Sequence, residues 1–120
     1  MNVFDASALL AFLEGEDGAD LVESALEAGG ACAAANWSEV NQKILAHARS
    51  WELARSLLTS YDLAIEPVTQ ADAEWAARRW VSGEALSLAD RLCLALGHRL
   101  EAAVWTADRS WRGERIRQIR

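Results

Sequence analysis

Residues 87–108 read SLADRLCLALGHRLEAAVWTAD, and the order of features within this stretch decides the fold. Ser87 stands three residues before Asp90, the spacing of a capping box, and opens a strongly apolar helix that is expected to end near Gly97-His98. Ala102 to Trp105 follows at once as a short apolar strand, and Thr106-Ala107-Asp108 turns away from it. A capped helix delivering directly into a buried strand is half of a βαβ unit, and the flanking sequence repeats the arrangement. Upstream, Leu63-Ala64-Ile65 before Pro67 reads as a strand. Thr69-Gln70-Ala71-Asp72 then caps a helix running to about Val81, and Ser82-Gly83-Glu84 forms a loop. Downstream, Ile116 to Ile119 reads as an edge strand.

The N-terminal half has the same grammar. Asn2-Val3-Phe4 is a short strand. Ala6 to Glu14 has helical spacing and stops at Gly15, and Ala19 to Ala28 is a second helix ended by Gly29-Gly30. Ala31 to Ala35 reads as a buried strand of weak β-propensity. Asn36-Trp37-Ser38-Glu39 reads as a capping box opening a helix through His47, and Trp51 to Ser60 as another helix. Strands separated by helices imply an α/β fold with three layers, α/β/α, around a mostly parallel central sheet.

With 120 residues, 52% of them hydrophobic, the chain is expected to form one domain over 1–120. It has a single proline, Pro67, no linker-like stretch and no repeat. Its apolar runs are broken by charge, and Asp5 stands where an export signal would need its apolar centre, so a cytoplasmic protein without a membrane span is expected. Cys32 and Cys93 lack metal or redox spacing and read as buried free thiols. The net charge is −6, but it is unevenly distributed: residues 1–30 hold seven acids and no base, whereas residues 71–120 hold seven acids and nine arginines. Eleven arginines stand against one lysine, Lys43, which suits a phosphate-facing edge and equally suits a bias of composition.

Open α/β sheets bind ligands beyond the carboxyl ends of their strands. Four carboxylates fall there: Asp5 directly after the first strand, Glu39 and Asp90 in first helical turns, and Asp108 three residues beyond Trp105. Crowded carboxylates repel one another unless a hard divalent cation lies among them, and oxygen-only ligation favours Mg²⁺ or Mn²⁺ over zinc. Such a site supports hydrolysis of a phosphodiester with no histidine base. Asp5 and Asp90 are expected as direct ligands, with Asp108 completing the set and Glu39 orienting a water or bridging to a second ion. Ser7 and Thr106 are placed to hydrogen-bond the carboxylates or a scissile phosphate from behind. Taken singly, each acid has a plainer reading: Glu39 and Asp90 as the third residue after a helix cap, Asp5 as a cap, Asp108 as a turn residue. His47 and His98 have no partner at ligand spacing and read as structural or surface residues. The six tryptophans read as packing more readily than as base-stacking groups.

The segments FDASALLAFL (4–13), ANWSEV (35–40), SLADRLCLALG (87–97) and TADRSW (106–111) together resemble the four acidic motifs of PIN-domain ribonucleases, in order and across nearly the whole chain. SLADRLCLAL followed by TADRSW carries the resemblance most specifically. It implies a VapC-type toxin: a Mg²⁺-dependent endoribonuclease that often forms a homodimer, cuts structured RNA, and is silenced by a cognate antitoxin whose segment occupies the site. The family's acidic positions fall on Asp5, Glu39, Asp90 and Asp108, and its small hydroxyl positions on Ser7 and Thr106. An amphipathic antitoxin helix covering the first helices, with a basic side chain toward the carboxylates, is the expected mode of inhibition.

Rival readings meet specific obstacles. A phosphoaspartate receiver needs a lysine at a strand end, whereas Lys43 lies in a predicted helix. A haloacid-dehalogenase-like phosphatase needs a second aspartate where Ser7 stands. No P-loop, GxGxxG, Ser/His/Asp set or zinc spacing occurs. The remaining alternative is a non-catalytic binding module of α/β fold, in which the acids serve only as helix caps.

Overall fold

The computed structural model describes all 120 residues, Met1–Arg120. In chain order the elements are β1 (Asn2–Phe4), α1 (Ala6–Glu14), α2 (Ala19–Ala28), β2 (Gly30–Ala33), α3 (Ala34–Ala46), α4 (Trp51–Thr59), β3 (Leu63–Glu66), α5 (Gln70–Arg78), α6 (Leu88–Leu100), β4 (Ala103–Thr106) and β5 (Ile116–Gln118). The five strands form one sheet in the order β3-β2-β1-β4-β5, and every pair in it is parallel. The chain winds outward from β1 to β3, then returns to lay β4 against the other side of β1. That reversal makes the β1/β4 boundary the switch point where such sheets open a crevice.

Alternation along the short strands sends side chains to opposite faces. Phe4 joins Leu9, Val22, Leu26, Val40, Ile44 and Leu58 in a core beneath α1, α2, α3 and α4. Its neighbour Val3 joins Ala31, Ala33, Cys93, Leu96, Val104 and Trp111 beneath α6. Both faces are therefore covered, which explains why these strands are apolar runs rather than alternating ones. Cys32 and Cys93 are buried free thiols, one in each core, and burial pushes both thiols well up from their ordinary value. No helix is long and apolar enough to cross a membrane.

Helix α5 stops at Arg78, short of the expected Val81, and two further boundaries differ from the sequence reading for a physical reason. Helix α3 starts at Ala34, with Ala33 as an N-cap that makes no side-chain bond, so Asn36 does not open a capping box. Alanine is the strongest helix former and a weak strand former, and the chain turns helical as soon as β2 has spent its pairings with β1 and β3. Glu39 accordingly sits in the second turn of α3, not the first. Helix α6 continues past Gly97 to Leu100 and ends on Glu101, held at φ 50° with its N–H donated to the carbonyls of Gly97 and His98. Gly97 is a packing glycine and not a stop: a Cβ there would collide with Val104 Cγ2 on β4. The helix lies that close to the sheet.

Candidate active site

The carboxyl edge of the sheet at the switch point carries the site. Asp5 directly follows β1 and is the N-cap of α1, its Oδ1 accepting from the backbone N–H of Ala8 at 2.8 Å. The Ser7 hydroxyl lies 2.8 Å from Oδ1 and 2.9 Å from Oδ2, and the Thr106 hydroxyl donates to Oδ2 at 2.5 Å. Ser7 Oγ in turn accepts from the N–H of Ala107 at 2.9 Å, and Thr106 Oγ1 from that of Asp108 at 3.0 Å. Two hydroxyls thus bolt the end of β1 to the end of β4, and Asp5 is clamped between them with 4% of its surface exposed.

Asp90 is the third residue of α6. Ser87 Oγ accepts its N–H at 3.1 Å, and Asp90 Oδ2 accepts the Ser87 N–H at 2.9 Å, completing the capping box. Its Oδ1 has no hydrogen-bond partner. Glu39 Oε1 accepts from Asn36 Nδ2 at 2.9 Å, leaving Oε2 free. The same Nδ2 donates to the Ala89 carbonyl at 3.2 Å, so buried Asn36 brackets α3 against the start of α6. Asp108 is exposed, its Oδ1 accepting both the N–H and the hydroxyl of Ser110 at 2.9 and 2.7 Å.

Asp5, Glu39, Asp90 and Asp108 line one cavity of about 200 Å³, together with Ser7 and Lys43. Lys43, the chain's only lysine, reads in the sequence as a helical residue and is not among the residues expected at the site. The signal was its spacing: it follows Glu39 by four residues, which puts both on one face of α3. The carboxylates differ in character. Burial, reinforced by the charge of Asp90, pushes the Asp5 carboxyl up from 3.8 to about 6 against the lowering pull of its Thr106, Ala8 and Ser7 hydrogen bonds. The two bonds from Ser110 hold the Asp108 carboxyl below its ordinary range.

A hard divalent cation suits this donor set. All donors are oxygen, Glu39 and Asp90 each keep an uncommitted oxygen, and Asp5 lines the same cavity with its carboxyl raised chiefly by burial. No three His, Cys, Asp or Glu side chains converge into a set that would hold an ion as they stand. Elsewhere, His47 Nδ1 lies 3.0 Å from Glu14 Oε1, and His98 stacks on Trp75 with ring centroids 5.3 Å apart and planes at 26°.

Compared with known proteins, residues 3–113 match the model of the PIN domain. The chain belongs to the PIN domain family. PIN domains are generally nucleases that use divalent metal ions, so the family makes this chain a nuclease-type hydrolase in general terms. Its fold is also that of a chain in a toxin-antitoxin complex from Klebsiella pneumoniae, with a TM-score of 0.77 and 21% identity, covering 100% of this chain and 98% of that one. Among curated proteins, none matches the sequence.

Proposed function

We propose that this PIN domain is a Mg²⁺-dependent endoribonuclease acting in the cytoplasm as the toxin of a toxin-antitoxin pair, with residues 1–120 as one catalytic unit. The observation that carries the reading is the single cavity lined by four carboxylates from four separate segments of the chain at the sheet's switch point. Asp5, Asp90 and Asp108 would hold the ion, for which Mn²⁺ can substitute. When bound, the ion supplies positive charge that polarises the phosphate and lowers the pKa of water. Glu39, with one oxygen fixed by Asn36, offers the other to accept a proton from the attacking water. As water bonds to phosphorus, the bond to the leaving ribose oxygen breaks and that oxygen takes up a proton from solvent, while the Lys43 ammonium offsets charge on the phosphate. Ser7 and Thr106 hold Asp5 in place from behind.

The toxin assignment is supported by the fold shared with a chain of a toxin-antitoxin complex. The antitoxin's seat in this proposal is an apolar groove of about 250 Å³ between α1, α3 and α4, which includes Leu13, Ile44, Leu53 and Leu57. Leu53 is 74% and Leu57 45% exposed, a surface suited to an amphipathic helix. A homodimer is part of the proposal and is checked by the mass in solution.

The test is cleavage of RNA by the purified protein with Mg²⁺, with Mn²⁺ and with EDTA, alongside Asp5→Asn and Asp90→Asn. Fragments that vanish with EDTA and with either substitution support the reading. Asp5 and Asp90 both also serve as helix caps. No cleavage together with no calorimetric Mg²⁺ or Mn²⁺ binding would leave capping as their only role and make the protein a binding module.

A further inference from the structure

The largest arginine-rich cavity lies away from the carboxylates, between α5, the C-terminal half of α6 and the loop joining β4 to β5. It encloses about 340 Å³ and is lined by Trp75, Arg79, His98, Arg112, Glu114 and Arg115, among others. We propose that it is a second nucleic-acid site, one that grips a segment of single-stranded RNA flanking the scissile bond. The inference rests on the endoribonuclease reading for its choice of ligand.

Charge is the first argument. Arg112 and Arg115 are exposed, and neither forms an ion pair with any carboxylate in the protein. Each is nevertheless held in place through one nitrogen: Arg112 Nη1 donates to the Arg109 carbonyl at 2.6 Å, and Arg115 Nη1 to the Gly97 carbonyl at 3.3 Å. The rest of each guanidinium fork remains available, aimed and without the entropy cost of being ordered by a ligand. Arg79 is already answered by Glu84, at 2.6 and 3.1 Å, and forms a wall of the cavity more than a free charge. Glu114 is the single carboxylate of the lining. In a chain of net charge −6, residues 109–120 hold five arginines against that one acid. Of these five, Arg112 and Arg115 line the cavity, and they are what a polyanion approaching the acidic cavity has to hold.

The aromatic pair is the second argument. Trp75 and His98 stack within the same cavity, and His98 is an exposed residue. Unpaired bases stack on such surfaces with little regard to sequence, and arginine forks take the intervening phosphates. A duplex, with its bases already stacked on one another, has no such face to present. Position is the third argument. Asp90 and Gly97 are seven positions apart on α6, about 10 Å along the helix axis, and Asp108 and Arg112 are four positions apart in the β4–β5 loop. Both cavities are therefore within reach of one short strand.

The experiment measures binding apart from cleavage. A short fluorescein-labelled single-stranded RNA of mixed sequence is titrated by anisotropy in EDTA over a range of salt, with the full-length wild type, Arg112→Ala/Arg115→Ala and Glu114→Gln. Loss of two phosphate contacts lowers the slope of log affinity against log salt by about 1.4, at about 0.7 per contact on a single strand. Glu114→Gln, whose side chain makes no hydrogen bond in the protein, tightens binding roughly threefold, the effect of one surface charge. Circular dichroism and thermal melts establish that the double variant is folded; should it fail to fold, Glu114→Gln alone decides. Affinity and slope indifferent to these substitutions, or equal competition by a duplex of the same sequence, overturns the proposal. The two readings fail separately. Wild-type cleavage of RNA with arginine-independent binding removes only the second site, whereas arginine-dependent binding without any cleavage removes the nuclease and leaves the site.

Discussion

Without a cation, the protein carries a destabilising charge at Asp5 that a single substitution should relieve. The Asp5 carboxyl is raised from 3.8 to about 6 by burial beside Asp90. Because the folded value lies above the unfolded one, the protonated form favours folding. Its contribution is fully present below about pH 4 and is lost as pH rises through 6. At about 1.4 kcal/mol per pH unit, ionised Asp5 costs the fold about 3 kcal/mol by pH 8. Asp5→Asn stays neutral at every pH. Its Oδ1 can keep the bond from the Ala8 N–H, and the hydroxyl of Thr106 can turn to accept from the new amide, at a loss of about 1 kcal/mol for one imperfect bond. In EDTA at about pH 8 the variant is therefore expected to be more stable than the wild type by about 2 kcal/mol, or about 5–10 °C in melting temperature for a chain of this size. By about pH 4, where folded wild-type Asp5 is protonated too, the variant's advantage should be gone, and at lower pH the wild type should lead by about 1 kcal/mol. If Mg²⁺ occupies the site as proposed, adding it should reverse the gap, by binding the folded wild type in preference to the variant. Urea or thermal unfolding across this pH range reads the difference directly. A wild type more stable than Asp5→Asn in EDTA at about pH 8, or a gap that ignores pH, would refute the reasoning.

Three further outcomes are expected. Ser87→Ala removes the acceptor of the Asp90 N–H, so urea unfolding should show a loss of about 1 kcal/mol, and cleavage should fall although every carboxylate remains. Lys43→Ala should leave stability within about 0.5 kcal/mol, since the side chain is exposed, yet lower the cleavage rate at least about tenfold, with Lys43→Arg recovering part of it. Gly97→Ala should destabilise by about 1–3 kcal/mol despite alanine's better helix propensity, because the added methyl runs into Val104; a rise in the urea midpoint would contradict that packing.

Most of the architecture was legible wherever a boundary carries its own chemistry. Both capping boxes, Thr69/Asp72 and Ser87/Asp90, are spelled out in side chains that bond the backbone, and both stand in the structure. The bounds of β1, α1 and α2 follow from Asp5, Gly15 and Gly29. The start of α3 was misread because alanine bears no cap and the nearest cap-like residue, Asn36, is turned inward to Glu39 and Ala89. Gly97 looked like a terminator because a sequence does not show which glycine is pressed against a strand. For the candidate site, topology alone predicts that acids following parallel strands gather at one edge, and the structure lines one cavity with all four. Burial is what topology does not contain. That Asp5 is clamped by Ser7 and Thr106 while Asp108 faces solvent depends on packing, as does the presence of Lys43 among the acids. The aromatic and arginine-lined cavity joins residues 75, 98, 112 and 115 across three elements, and no local pattern announces it.

The bolt between Ser7 and Thr106 joins residues 99 positions apart. That separation governs when the protein can become competent as it is made. A chain leaving the ribosome completes β1, β2 and β3 well before residues 103–106 arrive, and until then β1 is an open edge and Asp5 lacks the Thr106 hydroxyl. The centre strand of the finished sheet is thus one of the last to be enclosed. Synthesis broken off before about residue 100 would leave Asp5, Glu39 and Asp90 without Asp108 and without the Thr106 clamp, so the four-carboxylate cavity is complete only with nearly the entire chain.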